Sequence, residues 1–305
     1  MPMSRISALS FRALVPTVVL AVGLAACDGS PTEPAAKTLL AVTAAGGKEV
    51  GVVNLDGSGY VRLAGPELCA ATTEPCADPS WSPDGKSVLF TTETRDPFGL
   101  HVFVADVSGG VRRLVPAGGV LQEEFAARVS PDGQWVYLTA RTASEGFGVW
   151  RVGRDGSNPV RVGPPPPQYA NDRVFGVSPD GRHVLIESGR SGIQALVKLD
   201  VATAALTPFS ASGPVVAQSP ADERVALFQW DYQKLLIENG AGVVTREIRS
   251  PDGVLARFGN GLAWAPDGSY LLARGEAHWY WIDPSSGRAT PVTGLDGYVE
   301  AAVRP

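Results

Sequence analysis

Trp81-Ser82-Pro83-Asp84-Gly85-Lys86, with the weaker copies that follow it, decides how this chain folds. Ser82-Pro-Asp-Gly85, Ser130-Pro-Asp-Gly133 and Ser178-Pro-Asp-Gly181 recur at intervals of 48 residues. A degenerate Ser219-Pro-Ala-Asp222 follows after 41, and Ala265-Pro-Asp-Gly268 after a further 46. In such a tetrad Pro presets φ for a turn, Asp bonds the backbone beyond it, and Gly takes the left-handed position. Each copy leads into an alternating run: Ser87-Val-Leu-Phe-Thr, Trp135-Val-Tyr-Leu-Thr, His183-Val-Leu-Ile-Glu, Arg224-Val-Ala-Leu-Phe and Tyr270-Leu-Leu-Ala-Arg. Period-two alternation marks strands, so the tetrad is a tight hairpin between a short first strand and the second. A third strand follows, as in Val102–Asp106, Trp150–Gly153, Val197–Asp200 and Trp281–Asp283, and then a short fourth, such as Val111–Leu114 or Pro159–Val162.

Four strands in every 41 to 48 residues is the pattern of propeller blades, units that bury their faces only against one another. The count comes to six. Residues 38–64 hold three strands (Leu39–Thr43, Val50–Asn54, Tyr60–Leu63) without a first one. Tyr298–Val303 ends in Arg304-Pro305, where a Ser-Pro turn would otherwise start, and so supplies the missing strand. The expected fold is all-β: six four-stranded antiparallel blades, closed by the C-terminal strand joining the N-terminal blade. Closure removes the free sheet edges that invite aggregation. Ser250-Pro-Asp-Gly253 falls only 15 residues before Ala265 and reads as a loop turn, not a blade. Gly118–Phe125 and Pro164–Asp172, with its four prolines, read as loops between blades.

Composition agrees. Of 305 residues, 35 are Gly and 25 Pro, a load of turn formers that favours many short strands over helices. The hydrophobic fraction of 44% suffices for a large core. A formal charge of −5, with no Lys/Arg cluster, gives nucleic acid no footprint.

The Trp-Ser-Pro-Asp-Gly-Lys run and its echoes resemble the repeats of TolB-type propellers, which prolyl-oligopeptidase propellers share. The resemblance covers residues 38–305 and implies the fold firmly and the function loosely. TolB proteins carry an α/β domain before the propeller, for which this chain's short N-terminal tether leaves no room. The peptidases carry a hydrolase domain, which is likewise not expected in this sequence. TolB-like propellers bind envelope proteins, so the resemblance implies a protein or peptide partner.

The N-terminus indicates export. Arg5 and Arg12 precede an apolar stretch, Ala13–Leu24, too short for a comfortable span of about 20 residues. It ends in Leu24-Ala25-Ala26-Cys27, which resembles a bacterial lipobox. The alternative is an ordinary signal peptide with a chance Cys. The expected organisation is a lipoprotein signal peptide at 1–26, a lipidated Cys27 with a tether to residue 37, and a propeller over 38–305. Two or more acyl chains anchor a protein stably where one does not. The expected location is the cell envelope, on the periplasmic or outer side of a membrane. Cys69 and Cys76 then form an even pair in an oxidising compartment, and a disulfide is favoured over a metal site, which would lack nearby His.

Chemistry is harder to find. No G-x-S-x-G, Walker or dinucleotide motif occurs, and His101, His183 and His278 sit in different blades, which favours surface or edge roles. The expectation leans against an enzyme. Most of the seven Trp fit inter-blade packing, while Trp230 with Tyr232 could form a surface contact patch. Asp78, Glu123, Glu124, Asn171, Asp172, Asn260 and Glu300 precede the first strands and face one channel mouth. Glu124, Asp172, Asn260 and Glu300 are the candidates for Ca²⁺, which takes six to eight oxygen ligands. The bland reading is that polar loops are polar. No cofactor is otherwise expected. The functional expectation is a lipid-anchored, non-enzymatic propeller binding an envelope protein, peptide or cell-wall component. The alternative is a Ca²⁺-dependent hydrolase-like or lyase-like site, or a small-ligand site for a glycan or peptide, at the channel mouth.

Overall fold

In the computed structural model, each tetrad turns the chain between the first and second strands of a blade. The structure describes residues 37–69, 75–95, 97–165, 171–190, 194–211, 213, 215–229, 234–249, 261–276 and 278–305. Six four-stranded antiparallel sheets form blades 1 to 6. Their innermost strands are Tyr298–Val303, Ala77–Trp81, Glu123–Val129, Asp172–Val177, Val216–Gln218 and Leu262–Trp264. Each lies beside the next, and the last returns to the first, so the ring is closed. Tyr298–Val303 pairs antiparallel with Leu39–Ala44, placing both ends of the described chain in blade 1.

The core follows from period-two alternation on sheets covered on both faces. Six apolar clusters each fill the junction of two neighbouring blades. Along Ser87–Arg95, Val88 and Phe90 pack toward blade 1 while Leu89 packs toward blade 3. Val225 and Leu227 pack toward blade 4, and Ala226 and Phe228 toward blade 6. Second strands therefore read as continuous apolar runs, because neither face meets water.

The connection from blade 1 to blade 2 carries a single helical turn, Pro66–Cys69, and Cys69 is bonded to Cys76. Both sulfurs are buried, and the Cys76 N–H donates to the Gly47 carbonyl.

Two expectations need correction. The segments read as loops end earlier: Glu123, Glu124 and Phe125 already belong to the innermost strand of blade 3, and Asp172 begins that of blade 4. Asp78 and Glu300 likewise lie within strands. The reason is the β-bulge. Register shifts between Ala77 and Ser80, Phe125 and Arg128, and Val174 and Gly176 let pairing resume beyond the kink. At two of these bulges a residue with a Cβ takes positive φ, Asp78 at 61° and Ala126 at 53°. The second correction concerns His101, which is fully buried rather than at a surface or edge. Its strand, Phe98–Asp106, is the third of blade 2 and covered on both sides.

Candidate functional site

The tetrads position one end of the central channel. In blade 3, Ser130 Oγ donates to Asp132 Oδ1 at 2.5 Å and accepts from the Trp135 N–H at 3.0 Å. The Gln134 N–H donates to Asp132 Oδ1 at 3.0 Å, and Gly133 has φ of 70°. Blades 2 and 4 repeat this arrangement at Ser82 and Ser178. The serine hydroxyl holds each of Asp84, Asp132 and Asp180 below the usual carboxylate range, with Arg154 adding to the effect at Asp84. These bonds fix the turns, so the residues before and after them line the axis at repeated heights.

That end is a cup of 380 Å³, within the range of ligand sites. Prolines from five blades ring it, the tetrad prolines Pro83, Pro131, Pro220 and Pro266 and, at the equivalent place in blade 1, Pro305. Two residues earlier the wall is Trp81, Val129, Val177, Gln218, Trp264 and Val303. Trp81 Nε1 donates to the Ala302 carbonyl and Trp264 Nε1 to that of Ala217, both at 3.0 Å, so each indole bridges to the preceding blade. One residue earlier still, five blades present small residues, Ser80, Gly176, Ala217, Ala263 and Ala302, and blade 3 presents Arg128.

Arg128 crosses the deep end of the cup. Its Nε donates to the Phe175 carbonyl at 3.1 Å, Nη1 to that of Ala127 at 2.9 Å, and Nη2 to Asp78 Oδ1 at 2.8 Å. Behind it, the Asp78 N–H donates to Glu300 Oε2 at 2.7 Å, which also accepts from Thr43 Oγ1 at 3.0 Å. Gln218 packs on Gly176, where a Cβ would stand 2.4 Å from its Oε1.

The channel-mouth carboxylates separate into local pairs. Asp78 and Glu300 come together, as just described. Glu124 is buried between Arg113, at 3.3 Å, and His101, whose Nδ1 lies 3.2 Å from Glu124 Oε2. The Arg113 Nη2 also contacts His101 Nδ1 at 2.7 Å, and His101 Nε2 lies 3.2 Å from the Pro97 carbonyl. Asp172 is paired with Arg190 and accepts from Ser188 Oγ at 2.8 Å. Glu123 pairs with Arg141, and Asn171 bridges to Phe147. Among the described residues, no three His, Cys, Asp or Glu side chains are grouped to hold a metal ion. Cys27, Trp230, Tyr232, Asn260 and the Ser250–Gly253 turn lie outside the described residues.

Sequence reasoning placed its candidates at the opposite end of the first strands and missed the cup. The signal was present in the tetrads, since aligning the repeats puts Arg128 alone among small residues.

Fold and channel together define a TolB-like six-bladed β-propeller. TolB of Acinetobacter baumannii superposes with a TM-score of 0.66 at 16% identity, over 89% of this chain and 68% of that one. A protein assigned as TolB from Agrobacterium tumefaciens gives 0.61 at 14% identity, over 89% and 99%. A puromycin hydrolase gives 0.57 at 19% identity, over 85% of this chain and 44% of that one. These likenesses establish a shared fold. In sequence, the chain is 30% identical over 107 residues to the uncharacterized protein Atu1656 of Agrobacterium fabrum. That match spans about a third of each chain (33% of this one, 35% of the other). No family model matches.

Proposed function

We propose that this chain is a lipid-anchored propeller of the cell envelope that binds an envelope protein, peptide or cell-wall component without turning it over. The cup on the propeller axis carries the reading. It is open, walled by prolines and small residues, and among the described residues that line it Arg128 is the one charged side chain, fixed by three hydrogen bonds. Rigid apolar walls with a few placed polar groups suit recognition. The TolB-like fold supports a protein partner, and the Arg5-to-Cys27 pattern supports the tether. Among the described residues no helix is long and apolar enough to cross a membrane.

Two substitutions test the reading. Cys27→Ser should move the protein from the membrane to the soluble fraction, and retention on the membrane contradicts the anchor. Ala302→Trp, which fills the cup, should abolish co-purification of the partner captured by crosslinked wild type. Unchanged capture contradicts the cup.

The alternative, Ca²⁺ at Glu124, Asp172, Asn260 and Glu300 with hydrolase or lyase chemistry, predicts stoichiometric calcium and a melting temperature lowered by chelator. Binding is favoured over it because Glu124 and Asp172 already have arginine partners that a cation would have to displace.

A further inference from the structure

We infer that the cup recognises the free C-terminal carboxylate of an extended peptide, with Arg128 as the group that reads it. This deepens the binding role proposed above and rests on it.

The first argument is a census of donors. The turn prolines have no N–H, and the wall residues Gly176, Ala217, Ala263 and Ala302 have no polar side chain. Apart from the two indole N–H groups, which are already bonded, a ligand in this cup meets side-chain donors at Arg128, Gln218 and the Ser80 hydroxyl. A guanidinium has five N–H groups, and three of those on Arg128 are used within the protein, one each from Nε, Nη1 and Nη2. Among the described residues, one N–H on each terminal nitrogen has no partner within the protein. A planar pair of donors fits a carboxylate better than a single carbonyl.

The second argument is how Arg128 is held. Asp78, at 2.8 Å, and two carbonyls fix the guanidinium before any ligand arrives. Asp78 and Glu300 lie behind it and do not line the cup, so Arg128 stands between the cup and the acidic part of the channel. The backbone that sets this geometry is strained: Asp78 itself and Ala126, two residues before Arg128, are both in positive φ. Such strain persists where the surroundings over-determine it.

The third argument separates a chain terminus from an acidic side chain. Gln218 Oε1 is buried with no hydrogen-bond partner. Gln218 packs on Gly176, and Arg128 bonds the neighbouring Phe175 carbonyl, so both side chains converge on one dipeptide. An unpartnered amide oxygen gains by turning toward a donor. A C-terminal residue offers its own N–H a few bonds from its carboxylate, so one group would satisfy Arg128 and Gln218 together.

The probe is a short fluorescent peptide, acetyl-Ala-Pro-Leu, prepared with a free carboxylate and as the C-terminal amide. A third version is amidated and carries Glu in place of Leu. Binding to the Cys27→Ser protein is followed by anisotropy. The free acid should bind about tenfold to a hundredfold more tightly than the amide, with the Glu peptide close to the amide. Arg128→Gln should erase the difference, and Arg128→Lys should keep part of it. If the Glu peptide matches the free acid, the carboxylate is read but the terminus is not, and the inference fails in that part. Equal binding of acid and amide to the wild-type site overturns it entirely, while the cup stands as a binding surface. Binding of neither also overturns it, and the cup is then judged on the Ala302→Trp result.

Discussion

A buried hydroxyl is the smallest feature on which the propeller depends. Ser178, 1% exposed, accepts from the His183 N–H at 2.9 Å and donates to Asp180 at 2.6 Å. Replacing it with Ala leaves that N–H without its acceptor inside a turn. The expected loss is about 1–3 kcal/mol, read from urea unfolding, and a change below a few tenths would contradict the role. The aspartates these serines hold predict the acid behaviour. Asp84, Asp132 and Asp180 have folded pKa values below the unfolded value of about 3.9. Their contribution is present above that value and is lost as pH falls toward the lowered ones. The urea midpoint should hold from pH 7 to about pH 5 and fall below about pH 4. The loss should be modest, because the three carboxylates are near the surface and screened by water. Asp132→Asn should flatten the fall, and a midpoint unchanged to pH 2 would count against these bonds. Single residues were the least legible part of the sequence. His101 reads as an ordinary strand histidine until the fold buries it beside Arg113 and Glu124. Arg128 reads as one more surface arginine until the bulge between Phe125 and Arg128 turns it toward the axis.

At the scale of strands and turns, the repeated tryptophan explains how one blade registers against the next. Trp81 and Trp264 hold equivalent places, and each spans to a carbonyl in the innermost strand of the preceding blade. Each also carries an arginine of that blade over its ring, Arg304 at 5.7 Å and Arg224 at 4.8 Å. The same arginines donate onward to the tetrad glycine carbonyls, Arg304 Nε to Gly85 and Arg224 Nη2 to Gly268. Trp264→Phe retains much of the apolar contact and loses the bond to Ala217. It should cost about 1 kcal/mol, against roughly 3–5 for Trp264→Ala. Equal losses in chemical denaturation would contradict this, because the apolar contact of the ring would then add nothing beyond the bond to Ala217. Most of this scale could be read from the sequence, because alternation and turn chemistry are local. The four-strand period located the blades, and the lone Tyr298–Val303 run supplied the first strand of blade 1. Bulges are different. They depend on pairing with a neighbouring strand, so Glu123 and Asp172 looked like loop residues although both lie in strands.

For the molecule as a whole, closure and the axial cup are one feature. The strand that seals the ring, Tyr298–Val303, also contributes Ala301, Ala302 and Val303 to the cup wall. Deleting residues 298–305 should expose an unpaired edge on Leu39–Ala44 and remove one wall of the site. The truncated chain is expected to aggregate or to elute as oligomers on gel filtration. A monomer melting with the wild type would contradict the sealing role. The fold was legible at this scale because six similar units can bury their faces only as a ring. The function was less so, since the cup arises from equivalent positions far apart in sequence. The central claim is that the partner enters this cup, and photocrosslinking in living cells tests it most directly. A photoreactive amino acid at Ala302 or Ala217, in the cup, is compared with one at Val160 or Val244, which are exposed on outer strands. Capture of one envelope partner from the cup positions and not from the outer ones is the predicted result. Capture from the outer positions alone would contradict it.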